Sequence, residues 1–447
     1  MCGDVADCRF RRMTTPIFDF VKKYSASGAA RLHMPGHKGI GRLGCEGYDI
    51  TEIPGADVLY SADGIIDESE NNLTAIYGTG HSFYSTQGST LAIYAMLFLA
   101  IRGREKPLIL AARNVHTAFV KAAALLDLEV EWLYPEESEH LCSCNISAES
   151  LKNRLSGMTT LPNAVYVTSP DYLGNTLDIS ALSAVCREYG LPLLVDNAHG
   201  AYLKFLAKDS HPITLGAAMC ADSAHKTLPV LTGGAYLHIS KDYPEFARQA
   251  RTALSLFAST SPSYLTLASL DLCNERLAGD YPERIRELAD KIAGVKSEIS
   301  GLGFEVAESE PLKIVIKAGA ELATHLRREG IECEFSDSEY TVLMLTPENN
   351  DYDLERLLCA MRSAEKAESS ASPMTPAPHD RVISVREAIF APSERVSAKD
   401  AVGRICASPT VSCPPAVPIV ISGERITSDD VALFEHYGVE YVNVVIE

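Results

Sequence analysis

No apolar run in this chain approaches the roughly 20 residues that a membrane-spanning helix requires, so a bilayer-embedded protein is not expected. Basic charge is also scarce: 40 Lys and Arg stand against 59 Asp and Glu, for a formal net charge of −19. A nucleic-acid binder needs a basic face to neutralise phosphates, and that class is set aside. The first residues, Met1-Cys-Gly-Asp-Val-Ala-Asp-Cys8, lack the charged-then-apolar layout of a secretion signal. A cytoplasmic location is therefore expected. The 12 cysteines make no metal-ligand pattern. Cys142-Ser-Cys144 is the tightest pair, and no second pair or histidine follows at zinc spacing, so no metal is expected. Cys186 and Cys359 stand in apolar settings and are expected to pack as small core residues. No internal repeat is visible.

What is present is a large globular chain. Its 447 residues, 46% hydrophobic and 22% charged, suffice for two or three domains. Residues 1–75 read as an extended arm with a short helical pattern over Ile17–Tyr24 and few long periodic segments. From 76 to 245, continuous apolar runs at Leu108–Ala112, Ala164–Thr168 and Leu191–Val195 alternate with helical spacing at Ala118–Leu126 and Ile179–Glu188. Such alternation predicts an α/β domain with a mainly parallel sheet covered on both faces. Residues 246–364 carry helical patterns at Tyr264–Leu277 and Tyr281–Ile299, then a small αβ unit with Lys313–Ile316 and Thr341–Leu345. The Ser, Ala and Pro-rich stretch at 365–380 reads as a linker. Residues 381–447 form a C-terminal module with a β-rich end at Tyr441–Ile446.

The strand ends carry the chemistry, because ligands of open parallel sheets bind beyond the carboxyl ends of the strands. The run Leu191–Asp196 ends in Asp196-Asn-Ala-His199, and Ser223-Ala-His-Lys226 follows some thirty residues later. An acid at a strand end followed by Ser-x-His-Lys is a two-part signature for pyridoxal phosphate (PLP). Lys226 would bind the cofactor covalently, and Asp196 would keep its pyridine nitrogen protonated. His199 would approach the phenolic oxygen, and Ser223 would donate to the phosphate. His225 is either a proton donor or a residue that orients its neighbours. Gly88, Ser89 and Thr90 open the helical run Leu91–Leu99, where a helix N-terminus and two hydroxyls suit a phosphate; helix capping alone is the other reading. His116, after the strand Leu108–Ala112, could stack on the pyridine ring.

With these motifs in order, the chain resembles the Orn/Lys/Arg decarboxylase family of bacterial fold type I PLP enzymes, in its shorter form without a preceding receiver-like domain. Further marks are His33-Met-Pro-Gly-His-Lys38, Asp49-Ile-Thr-Glu52, Arg113-Asn-Val-His116, Thr168-Ser-Pro170, Ser259-Thr-Ser-Pro-Ser-Tyr264, the prolines Pro414, Pro415 and Pro418, and Gly423-Glu424. The resemblance implies an aspartate aminotransferase-like major domain, a small αβ domain and a C-terminal domain. It implies Lys226 as Schiff-base lysine, Asp196 as pyridinium partner and His116 as stacking ring. It places Ser89 or Thr90, Ser223 and His225 around the phosphate and the lysine. It also implies a homodimer or higher homo-oligomer with shared active sites, in which Ser259 and Thr260 reach the neighbour's cofactor. Three departures stand out: Thr117 where Lys is frequent, glycines in Leu231-Thr-Gly-Gly234, and Cys413-Pro-Pro-Ala-Val-Pro418 in place of Tyr-Pro-Pro-Gly-Ile-Pro. The last two are expected to line the substrate side.

The expected reaction is decarboxylation of a basic amino acid, with arginine favoured over lysine and ornithine. Glu424, Asp49 and Glu52 are candidate partners for the substrate's distal cation. The alternatives are an aminotransferase or aldolase-type reaction on the same fold, or a catalytically silent paralogue with a regulatory role.

Overall fold

A computed structural model describes residues 13–135, 140–366, 378–408, 412–413 and 416–446. The tail with Cys2 and Cys8, most of the expected linker, and Pro414 and Pro415 lie outside the described residues. The major-domain strands are β1 (His81–Ser85), β2 (Leu108–Ala112), β3 (Glu129–Leu133), β4 (Ala164–Thr168), β5 (Leu193–Asp196), β6 (Met219–Asp222) and β7 (Ala235–Ile239). The chain forms two compact units. One comprises residues up to Leu99, Ala201–Thr214 and Ala218–Arg286; the other comprises Ala100–Gly200, Leu215–Ala217 and everything from Glu287.

In the second unit β2 pairs in parallel with β3 and with β4, and β4 with β5. β2, β4 and β5 are mainly apolar because helices cover them, and parallel strands need a helical crossover to return in the same direction; the edge strand β3 instead exposes Glu129 and Glu131. Leu110, Val165, Val167 and Val195 share one core with Leu182 and Val185 of the helix Ile179–Glu188. Asp178 starts that helix by accepting the Ala181 N–H. The β5 strand begins two residues later than the apolar run suggests, after Pro192, which has no N–H to contribute. A four-stranded antiparallel sheet follows, with Thr341–Met344 and Lys313–Ile316 at its centre. Beyond it, Ser393–Ser397 pairs with Tyr441–Val445. Val315 and Val342 of the small sheet join Val420, Phe434 and Val444 of the C-terminal module in one core.

In the first unit β7 runs antiparallel between β1 and β6. The helices Pro16–Ala26, Ile65–Tyr77 and Tyr264–Ala278 pack together beside it. The helix Ile65–Tyr77 falls in the region expected to be an arm with few long periodic segments. Its inward face includes Ser69 and Glu70 beside Ile66, Leu73 and Tyr77, so polar residues break the apolar period. Cys359 also departs from expectation. It is exposed, on the outer face of the helix Asp351–Ser363, while Leu354, Leu357, Leu358 and Met361 face inward. No helix among the described residues is long and apolar enough to cross a membrane.

Two stability effects follow. Ala416, in the turn before Val417–Pro418, has φ 75°, a left-handed conformation that costs a residue with a Cβ about 1–2 kcal/mol. Ala416→Gly should therefore stabilise the protein by about 1 kcal/mol, after the larger unfolded-state entropy of glycine offsets part of the gain; chemical denaturation measures it. Asp271 accepts hydrogen bonds from Ser69 and from the Phe18 N–H at the start of the first helix. Burial pushes its carboxyl up from 3.8 to about 6. The folded state thus holds this proton more tightly than the unfolded chain. Its contribution is complete below pH 3.8 and disappears as pH rises through about 6. Relative to wild type, Asp271→Asn should show a flatter dependence of urea midpoint on pH across that window.

Candidate functional site

The first unit carries the lysine. β6 ends at Asp222, Ser223 stands at the N-cap, and the short helix Ala224–Thr227 carries His225 and the half-buried Lys226. Ser223 Oγ donates to Ser89 Oγ at 2.8 Å, so the lysine turn and the glycine cup meet directly. Ser89 and Thr90 lie in the first turn of the helix Gly88–Ile101. Gly88 has φ 71°, and nothing lies within 4 Å of where its Cβ would stand. Its N–H donates to the Gly233 carbonyl at 2.8 Å. The Gly234 carbonyl accepts both the His225 N–H at 3.1 Å and His225 Nδ1–H at 2.9 Å. Burial lowers the His225 pKa below the ordinary imidazole value, with the neighbouring Lys226 charge acting in the same direction. His225 is thus a neutral ring with its proton on Nδ1. Ser259 and Thr260 are exposed, and Ser259 Oγ accepts the Ser261 N–H.

The glycines of this departure have a local steric role. A Cβ on Gly233 would lie 3.0 Å from the Thr86 carbonyl, and one on Gly234 would lie 2.2 Å from Val230 Cγ1. Both glycines let backbone carbonyls reach the cup and His225.

The second unit carries the acid and the rings. Asp196 is buried at the end of β5. It accepts from the Tyr166 hydroxyl at 3.3 Å and from the Ala198 N–H at 3.2 Å. His116 caps the helix Thr117–Leu126, with Nδ1 accepting the Ala118 N–H, and this fixes the ring's orientation. The buried His199 ring meets Tyr172 edge-on at 4.9 Å. Tyr172 in turn donates to Glu334 at 2.8 Å. Arg113, three residues before His116, is buried and donates to the Pro418 and Ile419 carbonyls at 3.0 and 2.8 Å.

Of the three acids considered for a distal cation, two are engaged elsewhere. Glu424 is buried, accepts the Ile421 N–H at 2.7 Å and lies 3.5 Å from Arg113, as a structural counter-charge. Asp49 pairs with His37 at 3.0 Å. Glu52 is exposed. The sequence reading also missed Tyr166, Glu334 and a buried group around Asp222. Asp222 carried a usable signal, because an acid two residues past Cys220 inside an apolar strand needs partners.

The donor set suits pyridoxal phosphate. A helix N-terminus with two hydroxyls matches a phosphate, a half-buried primary amine matches an aldehyde, and a buried carboxylate matches a pyridinium.

The family pattern described as Orn/Lys/Arg decarboxylase, major domain, matches residues 15–317, and that for the family's C-terminal domain matches 366–440. An arginine decarboxylase of Bacillus subtilis is 29% identical over 94% of this chain and 92% of its own length. One from Bacillus anthracis is 27% identical over 94% and 92%. A lysine decarboxylase structure from Francisella novicida superposes with a TM-score of 0.82 at 16% identity, covering 97% of this chain and 81% of that one. The E. coli constitutive lysine decarboxylase gives 0.78 at 16%, covering 97% and 82%. The fold is therefore the type I fold of PLP enzymes, and the chain belongs to the Orn/Lys/Arg decarboxylase family of PLP-dependent enzymes.

Proposed function

We propose that this decarboxylase of basic amino acids acts on arginine, as a cytoplasmic homodimer or higher homo-oligomer whose exposed Ser259 and Thr260 reach the neighbouring subunit's site. The choice of arginine rests on the relatives named arginine decarboxylase that match 94% of the chain. The domain division proposed from sequence is kept: an arm to 75, a PLP-binding domain to 245, a helical connection and small domain to 364, a linker to 380, and a C-terminal domain.

Bound pyridoxal phosphate supplies an electron sink for the pair left on Cα when the carboxylate departs as carbon dioxide. The chain's residues then have separate tasks. Lys226 would hold the cofactor through its amine. Asp196, kept in place by Tyr166 and the Ala198 N–H, would pair with the ring nitrogen. His116, its ring fixed by capping, would take the pyridine face, and His199 would serve the phenolic oxygen. Gly88, Ser89, Thr90 and Ser223 would hold the phosphate. Of the two readings of His225, orientation is favoured. A neutral ring whose Nδ1 proton is committed to the Gly234 carbonyl has no proton at Nε2 to deliver. Lys226 is then the group that returns a proton to Cα.

Glu334 is the acid best suited to a guanidinium. It is exposed, it accepts from Tyr172, and Tyr172 packs against His199. A carboxylate there offers two oxygens to a planar fork of N–H donors.

Carbon dioxide release from arginine, lysine and ornithine given separately tests the function. Arginine should be turned over fastest, and Lys226→Ala should abolish release together with the visible absorbance of the lysine-bound cofactor. Release from lysine or ornithine alone would replace the substrate assignment. Glu334→Gln should raise KM for arginine about tenfold or more and change kcat much less, as expected on removing binding made equally in ground and transition states.

A further inference from the structure

The strand that delivers Ser223 and Lys226 ends in a buried carboxylate with no task in the chemistry above. Asp222 is wholly buried, as are His211 and His238 beside it. His211 Nε2 lies 3.0 Å and His238 Nε2 3.4 Å from the same oxygen, Asp222 Oδ2. The Cys220 thiol donates to the other oxygen at 3.0 Å. A buried carboxylate is strongly disfavoured unless its lone pairs are filled, and here two hydrogen-bond donors, His211 Nε2 and the Cys220 thiol, converge on it, with His238 Nε2 standing close by. Despite burial, which acts in the opposite direction, His211 and His238 hold the Asp222 carboxyl well below the usual carboxylate range.

The outer bonds set the direction of each proton. The Ile213 N–H donates to His211 Nδ1, so the ring proton sits on Nε2 and points at Asp222. His238 Nδ1 lies 2.8 Å from Ser82 Oγ, which lies 2.7 Å from Thr79 Oγ1. A Ser82 hydroxyl donating to Nδ1 leaves the His238 proton on Nε2, again toward Asp222. The Tyr77 ring stacks on His238 at 4.4 Å and meets His211 edge-on at 5.1 Å, which limits rotation of both. His211, Cys220 and Asp222 are close enough to ligate a cation. A ligating imidazole, however, turns its lone pair to the ion and its N–H outward, and His211 has the reverse arrangement.

The register explains what this group can do. Cys220 and Asp222 share one face of β6, His238 stands opposite Cys220 in β7, and Ser82 stands opposite His238 in β1. A slip of one residue would turn Asp222 away from its donors. We propose that Asp222 is a positioning residue. Its carboxylate, hydrogen-bonded by His211 and Cys220 and faced by His238, locks the end of β6 so that the next residue, Ser223, meets Ser89 and the turn bearing Lys226 is held ready for the cofactor. This inference rests on Lys226 being the cofactor lysine.

The test is a pyridoxal phosphate titration of the full chain stripped of cofactor, followed by visible absorbance, with far-UV circular dichroism on each variant. Asp222→Asn keeps an oxygen for the two histidines and turns its amide toward the Cys220 sulfur, so its Kd should stay within about threefold of wild type. Asp222→Ala, with wild-type dichroism, should weaken Kd about tenfold or more. If the alanine variant fails to fold, His211→Gln and His211→Leu replace the pair, the first keeping a donor and the second losing it. A wild-type Kd in the variants that lose the contact, with only a lower melting temperature, overturns the proposal. Equal loss in the asparagine and alanine variants overturns it as well, because charge rather than placement would then matter. Lys226→Ala separates the two readings: if it still gives the lysine-bound absorbance, the cofactor-lysine assignment fails instead.

Discussion

The second unit depends on one buried guanidinium. Arg113 follows β2, and its charge would be prohibitive inside a protein without partners. Two carbonyls, from Pro418 and Ile419, and the Glu424 carboxylate supply them. Removing one member of such a buried pair costs about 3–5 kcal/mol, because the other is left unpaired. A neighbouring contact repeats the connection: the Thr117 N–H donates to the Ala416 carbonyl. The loop that carries His116 is thus fastened by the C-terminal module. That module lies some 300 residues away in sequence, yet it helps set the direction of a ring proposed to face the cofactor.

The first unit solves a similar problem with glycine. A phosphate cup needs N–H groups that approach closely, and the lysine turn needs a fixed neighbour. Gly233 and Gly234 provide carbonyls to both, one to the Gly88 N–H and the other to His225. A side chain at either position would collide with Thr86 or Val230. What differs from the related pattern in sequence is therefore backbone architecture around the lysine turn.

Local apolar patterns made much of the fold legible. β2, β4 and the helix Ile179–Glu188 appear at the boundaries their apolar runs suggest, because buried parallel strands leave uninterrupted hydrophobic segments between turn residues. The helix Ile65–Tyr77 was hidden because Ser69 and Glu70 face inward, with Ser69 bonded to Tyr84 and Asp271 and Glu70 accepting the Tyr84 N–H. Partners this distant in sequence leave no local periodicity. The same limit applies at the site. Lys226 and Asp196 are proposed from residue type and spacing, whereas Glu424 looks identical to a substrate-binding acid until Arg113 is found beside it. Glu334 becomes notable only through Tyr172, 162 positions earlier.

Trp132, the chain's single tryptophan, lies in β3 beneath the Arg113 guanidinium, 5.5 Å from its centre, and 5.9 Å from the Phe119 ring. The buried cation that fastens the C-terminal module therefore rests on the one indole in the protein. Its emission reports on a single place, free of background from any other tryptophan. Loosening of that fastening, by heat, denaturant or a binding event, would register as a change in the fluorescence of this one ring.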